Sequence, residues 1–359
     1  MIEKIIKYSN KKYFPEHYLF APEWIVLGVN NVCNLHCKMC DVGTNTMETN
    51  FAKNLVGTHP LNMPLELLQK IIDQTARCYP TAKLGYAFTE PLVYPHLEAS
   101  LLYAKNKKIK TAITTNALTL KQNSQKLVDG GLNQLFISLD GPQEIHNHIR
   151  GHQKSFQKAI EGIEAIWNLN PAQEISIFCV ITEWNIGRLK EFADFFKNYP
   201  LKTIGFMHTN FTPQSVADNH NLIWGHSYAA TASNVEEINI DNYDLEFLWN
   251  EIQEIKNGDY SFQISFSPEV KTKEKLFEFY HKPEKIIGKL CNDVFSNIMI
   301  KSDGSVIPAH GRCYNLNIGN LYENSLQEIW NSNVLKKFRS DLVTNGGLLP
   351  ACSRCCSAF

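Results

Sequence analysis

The 359-residue chain has no long hydrophobic run. Its apolar stretches, such as Ile175 to Ile181 with Ser176 inside, fall far short of the roughly 20 residues a membrane helix needs, so no membrane partner is expected. It also lacks an excess of charge. The 35 Lys and Arg are matched by 36 Asp and Glu, which leaves no global positive field to hold a polyanion and argues against an obligatory nucleic acid partner. The N-terminus, MIEKIIKYSNKKYF, spreads lysines throughout and has no apolar run followed by small cleavage-site residues. It does not read as a secretion signal, and a cytoplasmic location is expected. There is no internal repeat and no low-complexity tract. Ten cysteines are too few for a disulfide-stapled scaffold of this size, and thiols stay reduced in the cytosol, so metal binding accounts for them better.

With 44% hydrophobic and 11% aromatic residues, the chain can bury a large core, and its length suits one large domain plus a small one. From Trp24 to about residue 210, short β-branched runs alternate with amphipathic stretches, the pattern of βα units around a parallel sheet. Six strands are expected: Trp24 to Val29, Lys83 to Phe88, Lys110 to Thr114, Gln134 to Leu139, Glu174 to Ile181 and Thr203 to Met207. Pro64 opens a helix whose Leu65, Leu68, Ile71 and Ile72 share one face, and further helices are expected from near His96, Lys121, Ser155 and Asn185. Gly130 and Gly131 supply a stop before the fourth strand. Six units are too few for a closed eight-stranded barrel, so a partial TIM-like (β/α)6 barrel is expected, with functional groups at the carboxyl ends of its strands. Residues 1–23 form an N-terminal extension, 24–210 the barrel, 211–285 a bridging region with a helix from Tyr243 to Lys256, and 286–359 a small C-terminal α+β domain.

Eight of the ten cysteines fall in two groups. CNLHCKMC, directly after the first strand, places Cys33, Cys37 and Cys40 on one short loop that can direct three thiolates to three corners of a cubane cluster. The fourth iron then lacks a protein ligand, and an open metal position is what catalysis requires. Zinc held by these cysteines with His36 is the alternative. The pattern resembles the radical S-adenosylmethionine (radical SAM) superfamily, whose members bind a 4Fe-4S cluster through such a triad and chelate the methionyl amine and carboxylate of S-adenosylmethionine (SAM) at the open iron. Met39 occupies the position that the resemblance places near the adenine, or it is ordinary loop packing.

Later strand ends agree in order. Phe88-Thr89-Glu90-Pro91 resembles the family's Gly-Gly-Glu-Pro turn, which receives the methionyl amine, with Phe88 and Thr89 in place of the glycines. Thr114-Thr115-Asn116-Ala117 is similar to the Thr-Asn-Gly segment, with Ala117 for the glycine and a capping role for Asn116 as the alternative. Ile137-Ser138-Leu139-Asp140-Gly141 resembles the Ser-x-Asp-Gly turn, which makes Ser138 and Asp140 candidates for ribose and methionyl contacts. Arg150, in the run from His146 to Gly151, is the candidate for the methionyl carboxylate, to which a guanidinium offers a planar fork. Asn185 either contacts the cosubstrate or caps the next helix. His208, beside an apolar strand, is read as structural.

The last 70 or so residues resemble the SPASM or twitch extension of the same superfamily, through the Ser302 to Val306 hairpin, the Ile318 to Leu321 segment and the Leu326 to Trp330 helix. The resemblance makes Cys291, Cys313, Cys352 and Cys355 ligands of a second, auxiliary 4Fe-4S cluster; a structural zinc site is the alternative. Ala309 and His310 stand where the family often has a cysteine, which bears on Cys313. Cys356 replaces Cys355 as ligand, gives a hydrogen atom to a substrate radical as a catalytic residue, or does neither. One auxiliary cluster is expected, because the chain ends three residues after Cys356.

The expected chemistry is reductive cleavage of SAM to a 5′-deoxyadenosyl radical, hydrogen abstraction, and net oxidation or rearrangement, with epimerisation or a non-catalytic cluster-binding module as alternatives. A low-potential donor such as flavodoxin or ferredoxin is implied. The substrate is a small molecule or a peptide, the former favoured because no leader-recognition domain precedes the barrel.

Overall fold

A computed structural model describes residues 2–358. Seven parallel strands follow one another around an open sheet: β1 (Trp24–Leu27), β2 (Lys83–Tyr86), β3 (Thr111–Thr115), β4 (Gln134–Ser138), β5 (Glu174–Ile181), β6 (Thr203–His208) and β7 (Gln263–Ser267). The six expected strands are present, and the seventh comes from the bridging region. On the other side of β1 lies β8 (Asn297–Ile300), which runs parallel to it, followed by the antiparallel β9 (Ser305–Pro308) and β10 (Gly319–Asn320). The cysteine-rich C-terminal segment thus extends the same sheet, with Ile25 opposite Ile298 and Leu27 opposite Ile300.

Thirteen α-helices accompany the strands among the described residues. In order they are α1 (Ile2–Tyr13), α2 (Asn50–Leu55), α3 (Leu65–Cys78), α4 (Leu97–Asn106), α5 (Leu120–Asp129), α6 (Gln143–Arg150) and α7 (Ser155–Leu169). Then follow α8 (Leu189–Phe195), α9 (Gln214–Tyr228), α10 (Leu245–Lys256), α11 (Lys273–His281), α12 (Leu326–Trp330) and α13 (Asn333–Thr344). The strands that form the middle of the sheet bury one face fully, while residues of the other face such as Ser138, Phe178 and Val180 are half-buried toward the interior cavity. In β5, Ile175, Ile177, Cys179 and Ile181 are fully covered, as the continuous apolar run requires. In α3, Leu68, Ile71 and Ile72 are likewise buried on one face, as their spacing predicts.

The chain's two ends are joined around Arg339 of α13. Its guanidinium lies 4.2 Å over the Trp330 ring and donates to the carbonyls of Val294 and Trp330, while Trp330 Nε1 donates to the Phe20 carbonyl at 2.9 Å. No described helix is long and apolar enough to cross a membrane.

Candidate active site

The carboxyl ends of β1 to β6 open into one cavity of about 1330 Å³, mouth included. The cysteine loop after β1 forms its floor. It is folded tightly on itself: Cys40 N–H donates to the Cys37 carbonyl, Thr44 N–H to the Cys40 carbonyl, and a Cβ at Gly43 would stand 2.3 Å from the Cys37 carbonyl oxygen. Only glycine fits there. The loop is clamped from the side by the end of α6, where Lys38 N–H donates to the Ile149 carbonyl. Gly151 follows with φ +66, and a Cβ there would meet the His36 carbonyl at 2.8 Å. Cys33, Cys37 and Cys40 all line the cavity, and they also line an adjoining hollow walled by Leu35, Val42, Leu55 and Phe88.

Met39, Thr89, Glu90, Thr115, Asn116, Ser138 and Arg150 stand on the same cavity wall. Glu90 is buried. Its carboxylate accepts from Thr115 Oγ1 (2.6 Å), the Leu92 amide (3.0 Å) and the Asn116 amide (2.8 Å). Burial pushes its pKa up, and these donors only partly hold it down. Thr89 Oγ1 donates to Asn30, and Asn116 Nδ2 donates to Asn34 Oδ1 at 2.7 Å, so the turns after β2 and β3 are tied to the loop leaving β1. Phe88 and Ala117, which replace the expected glycines, keep left-handed backbones at φ +84 and +61. Such a conformation costs about 1–3 kcal/mol at a residue with a side chain. The Phe88 ring is held between Phe51 of α2 and His310, with centroids 6.5 and 6.1 Å away.

Two expected contacts lie elsewhere. Asp140 is fully buried behind the wall, where Oδ2 accepts from Arg150 Nε at 2.5 Å and Oδ1 from the Val180 amide at 2.9 Å. Asn185 is equally buried. It donates to the carbonyls of Asp140 and Val180 and accepts from the Thr182 amide, stitching the β4 turn to the β5 turn. Neither side chain lines the cavity. Arg150 does, with Nη1 3.6 Å from Cys37 Sγ; burial opposes its charge, but Asp140 and Cys37 hold its pKa above the ordinary value. His208 is buried, its Nδ1 2.8 Å from Tyr280 Oη.

The second cysteine group surrounds a separate cavity of about 790 Å³, lined by Cys291, Cys313, Cys352 and Cys355. Four pieces of chain position them. Cys291 N–H donates to the Gly347 carbonyl, Cys313 N–H to the His310 carbonyl, and Cys355 N–H to the Cys352 carbonyl. Asn54 of α2 donates to the Cys313 carbonyl at 2.7 Å, and Tyr314 Oη lies 3.2 Å from Cys352 Sγ. Arg354, buried between two of the cysteines, donates to the carbonyls of Phe279, Lys282 and Lys285 and so anchors the tail at the end of α11. Cys356 does not line this cavity. Its Sγ stands 3.7 Å from His310 Nε2, a nitrogen that also contacts Ser357 Oγ (2.6 Å) and Asp293 Oδ2 (3.5 Å). His310, Cys355 and Cys356 bring their ligand atoms within 4.8 Å of one another.

Both sets of thiols suit iron–sulfur clusters. Burial pushes the Cys37 thiol up to about 12 and raises Cys33, and it drives Cys291 and Cys313 well above their usual value and Cys352 to about 11. Sulfurs so placed become thiolates only beside cationic metal. Three line a wall that opens into the large cavity, whereas the other four line the smaller one. Sequence reading missed Phe51, Asn210, Asn234 and Arg312, which line the large cavity from helices and loops that carry no recognisable spacing.

Comparison with known proteins agrees with this geometry. Residues 28–196 match the radical SAM superfamily, and residues 291–356 match an iron–sulfur cluster-binding domain, SPASM. Curated relatives include a GTP 3′,8-cyclase from Helicobacter pylori, 26% identical over 49% of this chain and 52% of its own length. Another is a serine-type anaerobic sulfatase-maturating enzyme from Bacteroides thetaiotaomicron, 27% identical over 51% of this chain and 45% of its own. The chain thus spans about half the length of the curated relatives it matches. Among solved structures, Streptococcus suis SuiB bound to S-adenosylmethionine shares the fold with a TM-score of 0.61 at 17% identity, covering 94% of this chain and 71% of that one. AdoMet-bound anSMEcpe gives a TM-score of 0.60 at 17% identity, over 88% and 82%. Membership of these families implies a SAM-binding 4Fe-4S cluster and auxiliary iron–sulfur binding. The chain belongs to the radical SAM superfamily of enzymes and carries a C-terminal SPASM domain.

Proposed function

We propose that the protein cleaves SAM reductively and abstracts a hydrogen atom from a substrate seated between its two cysteine groups, giving a net oxidation. The supporting observation is that three thiols share one cavity wall with Glu90, Thr115, Asn116, Ser138 and Arg150. When bound, a cluster held by Cys33, Cys37 and Cys40 would supply the electron that converts SAM to methionine and a hydrogen-abstracting 5′-deoxyadenosyl radical, and a cluster held by Cys291, Cys313, Cys352 and Cys355 would supply the acceptor for the electron released when the substrate radical loses a proton.

The chain's own residues hold and shield the reactants. Cys33, Cys37 and Cys40 bind the first cluster and leave one iron for the methionyl group. The Glu90 carboxylate and the Ser138 and Thr115 hydroxyls offer acceptors to the methionyl amine and ribose, and Arg150 offers its remaining N–H groups to a carboxylate. Met39, Phe88, Phe178 and Met207 exclude water from the cavity, where a carbon radical must be protected. Cys291, Cys313, Cys352 and Cys355 hold the auxiliary cluster.

A peptide or protein side chain is the first reading of the substrate, because solved proteins of this fold include SuiB with its precursor peptide SuiA and anSMEcpe with the Cp18Cys peptide. A small molecule is the second. The test is anaerobic reconstitution with iron and sulfide counting, followed by reductant and SAM. Formation of 5′-deoxyadenosine is expected, with deuterium entering it from a labelled substrate; a zinc-loaded protein that forms no 5′-deoxyadenosine would overturn the reading.

A further inference from the structure

The two cavities share a stretch of wall made by Phe51, Asn210 and Arg312. Arg312 is half-buried there, and among the described residues its guanidinium has no carboxylate partner and no hydrogen-bond acceptor. It lies on the face of Phe51, 4.2 Å from the ring centroid, close enough to His310 and Cys356 to act on both electrostatically. The other guanidiniums at these cavities already have protein partners, with only part of the Arg150 fork left free. Arg150 is paired with Asp140, and Arg354 is spent on main-chain carbonyls. Glu90 is the one carboxylate among the residues lining either cavity, and both its oxygens already accept hydrogen bonds.

A half-buried, unpaired guanidinium resting on an aromatic face is a recognition device, because its planar fork remains free for a bidentate oxyanion. We infer that Arg312 is a specificity residue that binds an oxyanion of the substrate, a carboxylate or a phosphate, and so holds the reacting carbon between the two cysteine groups. The inference rests on the proposed function for where the substrate lies, while its test does not depend on turnover. Phe51, against which the guanidinium lies, and Phe88, which packs on Phe51, make the adjoining surface aromatic, so the substrate portion next to the anion is apolar.

The test uses the cluster-loaded, SAM-bound protein without reductant and three fluorinated probes: 4-fluorophenylacetate, 4-fluorobenzylphosphonate and the neutral 4-fluorophenylacetamide. Binding is read by 19F line broadening. At least one anion is expected to bind about tenfold tighter than the amide, and the better anion identifies carboxylate or phosphate as the source. Arg312→Gln is expected to remove the preference and Arg312→Lys to keep part of it, since the charge stays while the fork is lost. Equal binding of anion and amide by the unaltered protein would overturn the inference. So would an undiminished preference in Arg312→Gln, or an anion that displaces SAM. A variant that shifts only the potential of the auxiliary cluster would show that the guanidinium serves the cluster instead, and would also overturn it. Formation of 5′-deoxyadenosine by the unaltered protein is measured separately, so its failure would strike the proposed function and leave the anion result readable.

Discussion

The two cysteine groups reach similar chemistry by opposite routes. The first puts Cys33, Cys37 and Cys40 on one eight-residue loop, shaped locally by Gly43 and clamped once from α6. The second gathers Cys291, Cys313, Cys352 and Cys355 from three segments spread over more than 60 residues, with β8, β9, α12 and α13 lying between the first and the last. A locally built site is available for cofactor exchange and opens into a large cavity. At a site assembled from distant segments, metal binding is coupled to folding. The difference teaches that one cysteine group is arranged to meet a reactant while the other also fastens the C-terminal segment to the sheet.

The largest effect that could break this comparison is chemical. Cys37→Ala should reduce 5′-deoxyadenosine formation to background and remove about four iron atoms per chain, leaving the C-terminal cluster's iron in place. Retained cleavage would show that the loop is not the reactive site. The next effect is on stability. Asp140→Asn leaves the Arg150 guanidinium buried without its carboxylate, and removing one partner of a buried pair costs about 3–5 kcal/mol. A denaturant midpoint unchanged from that of the unaltered protein would show that the clamp beside Cys37 is not supported by this pair.

Cys352→Ala tests the other side. Releasing a link between distant segments forfeits about 3 kcal/mol of chain entropy on the disulfide analogy, or roughly 4 °C in thermal midpoint for a chain of this length. The matching triad variant closes so short a loop that its midpoint should move less. Equal shifts in the two variants would erase the structural half of the comparison.

What the sequence made legible follows the same division. Motifs at the ends of β1 to β4 could be read because each is a few consecutive residues fixed to a strand that is itself apolar and β-branched. The strand β7 could not. Gln263, Ser265 and Ser267 of QISFS are exposed, so it carries little of the apolar signal that marks a strand. The pairing of β8 with β1 joins residues some 270 apart and leaves no local trace. Asp140 and Asn185 were recognisable as turn residues, but not the direction in which they face: both bond main-chain groups of neighbouring turns instead of lining the cavity. Phe51 and Arg312 were invisible, since their importance comes from long-range packing that brings α2 and the loop before Cys313 to one wall.

The smallest predicted effect separates the acid sensitivity of the barrel from that of the clusters. His208, at the end of β6, is enclosed by Phe279 and Tyr280, and burial depresses its pKa from 6.5 to about 3. The unfolded chain therefore binds a proton at this residue below pH 6.5 that the folded chain refuses. Its contribution to stability is fully present above pH 6.5 and is lost as the pH falls through that value toward 3. At pH 5 the loss from this one residue is about 2 kcal/mol. In His208→Gln, which keeps a polar group opposite Tyr280 Oη, the difference in unfolding free energy between pH 7 and pH 5 should shrink by that amount. Some dependence will remain, because His146 is depressed by the same burial. If the variant keeps the full dependence, the acid sensitivity belongs to the cysteine groups, and the division between a robust barrel and metal-dependent extensions would have to be redrawn.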